Sequence, residues 1–104
     1  MNASLQWSRD ALEDFKKQIA YIAEHNPQAA AKVAERMDDC ARKLLLRSTG
    51  RPGRVDGTLE KTVPGLPYIM AYAVSADETR TVITILRLIH TARDWRRGKW
   101  PPFA

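Results

Sequence analysis

Cysteine is almost absent. Cys40 stands alone in 104 residues, so no internal disulfide forms, and its place among apolar positions at helical spacing predicts a small buried side chain rather than a nucleophile. Histidine is nearly as scarce: His25 and His90 lie far apart with no cysteine pair nearby, which argues against a structural zinc site. The glycine-rich stretch GRPGR lacks the Gly-Lys-Ser/Thr ending of a phosphate-binding loop, and no cofactor or metal is expected. Long apolar runs are missing as well. The longest is broken by Arg87, well short of the roughly 20 residues of a membrane-spanning helix, so no membrane partner is expected. The opening residues MNASLQWSRD have neither the basic start nor the apolar core of a signal peptide, and a reducing cytoplasm is the expected location.

Negative charge is scarce in one half only. Residues 1–41 carry five basic and seven acidic groups, whereas residues 42–104 carry twelve and five, so the overall net charge of +5 comes from a basic second half. That asymmetry favours an acidic partner, nucleic acid or protein, beside the plain alternative of a solvated basic surface. With 44% hydrophobic and 28% charged residues the composition is that of a folded chain, and 104 residues are enough for one core and too few for two. Residues 1–104 are therefore read as a single domain, with 96–104 as a tail.

The chain is organised around residues 63–95, VPGLPYIMAYAVSADETRTVITILRLIHTARDW. Two runs rich in β-branched and aromatic residues, Tyr68 to Val74 and Thr81 to His90, flank a short polar link, the pattern of two antiparallel strands. The second run is apolar on both alternating faces until Arg87, as expected of a strand central in a sheet. Beyond it, Arg93, Arg96, Arg97 and Lys99 interleave with Trp95 and Trp100. Arginine with tryptophan dominates binding energy at protein interfaces and also stacks on unpaired bases.

Upstream, Leu5 to Trp7 reads as a short strand, and Ser8 as the N-cap of a helix whose first turns hold Asp10, Glu13 and Asp14, where the helix dipole favours negative charge. Leu12, Phe15, Ile19 and Ile22 give it one apolar stripe. Asn26-Pro27 ends it and caps a second helix, whose stripe is Val33, Met37, Cys40 and Leu44; both Met37 and Leu44 are read as interior. Residues 49–57 (TGRPGRVDG), with three glycines and one proline, read as a loop carrying Arg51 and Arg54, and Thr58 to Val63 as a further strand. The expected fold class is α+β, in the order β-α-α-β-β-β, with a helical hairpin packed on one face of a mostly antiparallel four-stranded sheet and the other face at least partly open.

In that order, Trp7-Ser8 with Ala11-Leu12-Glu13-Asp14, Tyr21-Ile22-Ala23 with Asn26-Pro27-Gln28-Ala29-Ala30, Gly53-Arg54, Val63-Pro64-Gly65-Leu66-Pro67-Tyr68-Ile69, Tyr72, and Ile85-Leu86-Arg87-Leu88-Ile89-His90 with Ala92-Arg93-Asp94-Trp95 resemble the ParE branch of the RelE/ParE toxin superfamily over nearly the whole chain. The resemblance implies a toxin of a bacterial type II toxin–antitoxin system, neutralised by a cognate antitoxin. Such an antitoxin would lay an acidic, apolar segment over the helical hairpin and sheet edge, and operator DNA would be met only through the toxin–antitoxin complex. ParE-like members poison DNA gyrase by binding; RelE-like members cleave messenger RNA on the ribosome. A third outcome is a non-toxic member that acts only in a repressing antitoxin complex.

The resemblance also places an arginine of the nucleases three residues before the tyrosine of the first hairpin strand, where this chain has Ile69, a side chain unable to stabilise a phosphate. The nuclease alternative would rest on His90, Lys61, Arg54 and Arg87, histidine being the residue type that titrates near neutrality. Strict alternation puts Arg87 and His90 on opposite faces of one strand. The expected target contacts are Arg93, Trp95, Arg96, Arg97, Lys99 and Trp100, with Arg51 and Arg54 as loop contacts.

Overall fold

The computed structural model of the chain describes residues 2–92 and 98–101. The elements are β1 (Asn2–Trp7), α1 (Arg9–His25), α2 (Pro27–Leu46), β2 (Arg51–Pro52), β3 (Leu59–Thr62), β4 (Tyr68–Ala76) and β5 (Arg80–His90), with sheet order β1-β5-β4-β3-β2. All neighbours pair antiparallel except β1 and β5, which are parallel. The expected α+β layering is present. The sheet has a fifth member because Arg51 and Pro52 pair with Glu60 and Leu59, so the loop read as irregular contributes a two-residue edge strand.

Local chemistry places the helices. Ser8 N–H donates to Ile85 O (2.8 Å), its hydroxyl donates to Leu86 O (3.0 Å), and the same oxygen accepts Ala11 N–H (3.1 Å). One residue thus extends the strand ladder by a rung and caps α1. Asn26 is the whole link between the helices: its N–H donates to Ile22 O and its side chain accepts Ala29 N–H, with Pro27 at the first position of α2. The hairpin lays Ala11, Met37, Cys40, Ala41 and Leu44 on Met70, Tyr72, Ile83, Ile85 and Leu88 of the sheet. Leu12 is a correction to the apolar stripe. It is 42% exposed, and the buried residues of α1 are Ala11 and Asp14.

Tyr72, fully buried, ties the loop after α2 to the sheet. Its hydroxyl accepts Gly50 N–H (2.9 Å) and shares a hydrogen bond with Ser48 Oγ (2.9 Å). A side chain at Gly50 would collide with that hydroxyl and with the Glu60 carbonyl, so the chain passes here only as glycine. At the β4–β5 tip, Asp77 Oδ1 accepts the Thr79 and Arg80 N–H groups and the Thr79 hydroxyl. The backbone bond from Thr79, then those from Arg80 and the hydroxyl, hold its carboxyl below the usual range. A depressed folded-state pKa stabilises above the ordinary range and ceases to do so as pH falls through the folded value. A carboxyl titration by NMR is expected to find Asp77 below the ordinary aspartate value of 3.8, and Asp77→Asn to flatten the acid limb of the stability profile.

Candidate functional site

The register divides the expected site residues between two faces. Lys61 pairs with Met70 and Leu88 also pairs with Met70, all on the helix face. His90 pairs with Tyr68 on that same face, its ring edge-to-face with Tyr68 at 5.1 Å, while the Tyr68 hydroxyl donates to Gln18 of α1 (3.1 Å). Burial pushes the Tyr68 phenol up, so it stays a hydroxyl donor. His90 Nδ1 accepts Ala92 N–H (3.0 Å), a local bond that closes the strand end. Burial likewise pushes the Cys40 thiol up, against a smaller lowering by Lys61, which fits the reading of Cys40 as packing rather than a nucleophile.

The outer face holds the rung Glu60, Ala71 and Arg87. Glu60, 2% exposed, gathers the loop arginines: Oε2 accepts Arg54 N–H (2.6 Å), and Oε1 meets Arg54 Nη1 at 3.1 Å and Arg51 Nη2 at 3.5 Å. Both arginines that the sequence offered as loop contacts are therefore tied to a buried carboxylate.

Arg87 is tied more deeply. In β4–β5 the register steps from Tyr72–Ile85 to Ala71–Arg87, leaving Leu86 as a bulge where β1 has just ended. The bared edge of β5 is taken up by Asp14 of α1, whose Oδ2 accepts Arg87 Nε (2.8 Å) and Leu88 N–H (3.0 Å) and whose Oδ1 accepts Arg87 Nη2 (3.3 Å). The side chains are 12% and 9% accessible. In the sequence Asp14 reads only as an acid in the first turns of α1; its burial follows from the pairing of β1 with β5, which no local signal announces.

Residues 98–101 lie over one rung of the outer face. Gly98 N–H donates to Arg54 O (2.7 Å), and Arg87 Nη1 donates to Pro101 O (3.3 Å) with its guanidinium 6.0 Å from the centre of the Trp100 ring. The segment thus crosses from the Glu60 end of the rung to the Arg87 end, over Ala71, which like Ile89 is fully buried. The outer face is covered at that rung, while Thr62 and Ser75 on the same face are exposed, in keeping with a face open in part. Of the expected target contacts, Lys99 is exposed and Trp100 is packed on Arg87; Arg93, Trp95, Arg96 and Arg97 lie outside the described residues. Among the described residues no group of histidine, cysteine or carboxylates is placed to hold a metal, and no helix is long and apolar enough to cross a membrane.

Sequence comparison matches residues 5–95 to the model of the ParE toxin of type II toxin–antitoxin systems, parDE. The chain belongs to this family. Within it, the chain is 33% identical over 92 residues to a candidate toxin of Sinorhizobium fredii, Y4kP, covering 88% of this chain and 91% of that one. The fold is similar to that in a chromosomal ParDE toxin–antitoxin system from P. aeruginosa, with TM-score 0.74 and 24% identity over 85% of this chain and 95% of that one. It is also similar to the RelBE2 toxin–antitoxin complex of Mycobacterium tuberculosis, with TM-score 0.53 and 25% identity over 86% and 99%. As a ParE family member the chain is a ParE/RelE-type toxin of a toxin–antitoxin system.

Proposed function

We propose that this ParE family member acts by binding, with DNA gyrase as its target and a cognate antitoxin as its neutralising partner. The observation that carries the reading is the scattering of the groups an RNA-cleaving mechanism would need. His90 and Lys61 face the helices, Arg54 and Arg87 lie on the outer face, and each of the two arginines is neutralised by a carboxylate. General acid–base catalysis requires donor and acceptor within hydrogen-bond reach of one reacting group. Ile69, 7% exposed, occupies the position where the resemblance would put the nuclease arginine. An apolar side chain there offers nothing to a developing phosphate charge. The antitoxin is supported by the ParDE and RelBE2 neighbours, both toxin–antitoxin systems.

The test is to induce the protein from a tightly controlled promoter and follow pulse-labelled DNA and protein synthesis separately over the first minutes. DNA synthesis stopping first, with gyrase-dependent breaks, is the expected result, and His90→Ala then leaves growth arrest intact. Translation stopping first with cleaved messages, together with a loss of about a hundredfold in His90→Ala, would establish the nuclease instead.

A further inference from the structure

One face of α2 forms a wall of a groove of about 730 Å³. Its α2 residues Arg36, Cys40, Lys43 and Leu44 recur at three and four, so they form a single stripe, which the C-cap residue Arg47 extends. The opposite wall is Lys61 of β3 with Pro64 and Gly65 of the β3–β4 turn. Cys40 and Leu44 are buried and make the floor apolar, while Leu46, the last residue of α2, stands at the rim 87% exposed. Gly65 sits at φ 74°, and a side chain there would meet Arg36 Nη1 at 2.9 Å, so the glycine keeps this end of the groove open around the guanidinium.

The groove carries four cations against one carboxylate, Asp39, and that one is already paired with Lys43 at 3.1 Å. Among the described residues Arg36, Arg47 and Lys61 have no carboxylate within ion-pairing distance. For Lys61 the deficit matters most, because it is half-buried on the helix face of the sheet, where a charge without a partner is costly. Elsewhere the fold supplies acids to its deeper cations, Asp14 to Arg87 and Glu60 to Arg54.

We infer that this groove is a docking site for a polypeptide segment of the antitoxin that places aliphatic side chains against Leu44, Leu46 and Pro64 and carboxylates against Lys61, Arg36 and Arg47. The inference rests on the antitoxin reading above and deepens it by assigning the place and the chemistry. The volume lies within the range of sites that bury a whole ligand and is far larger than an inorganic ion requires. An apolar floor with a basic rim suits an amphipathic acidic segment. A nucleic-acid backbone would make no use of Leu44, Leu46 and Pro64 and would meet Asp39 at the rim.

The test uses the full chain co-expressed with the polypeptide encoded beside it in its operon as the probe. Arg47→Glu combined with Lys61→Glu is expected to weaken that complex on the order of a hundredfold, because each reversal replaces an attraction with a repulsion at a desolvated contact. Lys16→Glu with Lys17→Glu, exposed on α1, is expected to leave the affinity unchanged. Hydrogen exchange on the wild-type complex supplies a measurement independent of whether the reversals fold, with new protection expected at residues 43–49 and 61–66. Protection confined elsewhere, or unchanged affinity in the Arg47/Lys61 reversal, overturns the groove assignment while leaving the antitoxin reading standing. Failure of the wild-type chain to form any complex overturns the antitoxin reading and the assigned occupant with it.

Discussion

Replacing Asp14 with alanine is expected to lower the free energy of unfolding by about 3–5 kcal/mol, read as a fall in denaturant midpoint at unchanged slope. That is a large part of the 5–15 kcal/mol by which ordinary domains are stable. The size follows from what is left behind. The Arg87 side chain is 12% accessible and, among the described residues, would keep only the Pro101 carbonyl and the flank of Trp100, while the buried Leu88 N–H would lose its acceptor. An uncompensated buried charge and an unpaired backbone donor both contribute. Asp14→Asn, which retains a carbonyl for Leu88 N–H, is expected to cost less. Replacing both partners together, Asp14→Leu with Arg87→Met, is expected to cost less than Asp14→Ala alone, since removing the pair removes its desolvation cost too. A loss below about 1 kcal/mol in Asp14→Ala would place the pair among solvated surface bridges, whose contribution is small.

The same corner marks where sequence reasoning ended. The helix pair was legible because its signals are local: Ser8 and Asn26 are caps, Pro27 suits a first helical turn, and the stripe of Met37, Cys40 and Leu44 repeats at helical spacing. The β4–β5 hairpin was legible for the same reason, from alternation and a polar tip. What could not be read was pairing across sequence distance. Nothing in residues 2–7 says that β1 lies parallel to β5 and stops at Ile85, so nothing says that the N–H of Leu88 needs an acceptor from elsewhere. Asp14 then looks like any acid near a helix start. Alternation did place Arg87 and His90 on opposite faces, because the bulge at Leu86 lies before both. Glu60 sat inside an alternating strand and gave no hint that it would gather two arginines, although a buried acid amid Arg51 and Arg54 is the arrangement that low local dielectric demands.

Replacing Trp95, Arg96 and Arg97 together by alanine is expected to abolish growth arrest while leaving the unfolding midpoint nearly unchanged, measured by induction plating beside denaturant unfolding of the purified chain. On the binding reading these three residues are the densest cluster of the residue types that carry interface energy, where truncating one such anchor costs about 2 kcal/mol or more. Three together would weaken a complex by on the order of ten-thousandfold, enough to empty a target site at cellular concentrations. The contrast is Trp100→Ala. Trp100 lies on Arg87, and its indole N–H is buried without a partner among the described residues, so its loss acts on the latch over the outer face and is expected to appear first as reduced stability. If the triple variant remains fully toxic, the target contact lies elsewhere, and the cations of the second half serve the antitoxin rather than the target. If Trp100→Ala abolishes toxicity at unchanged stability, the latch itself releases on target binding, and the rung Glu60–Ala71–Arg87 beneath it becomes the surface to map.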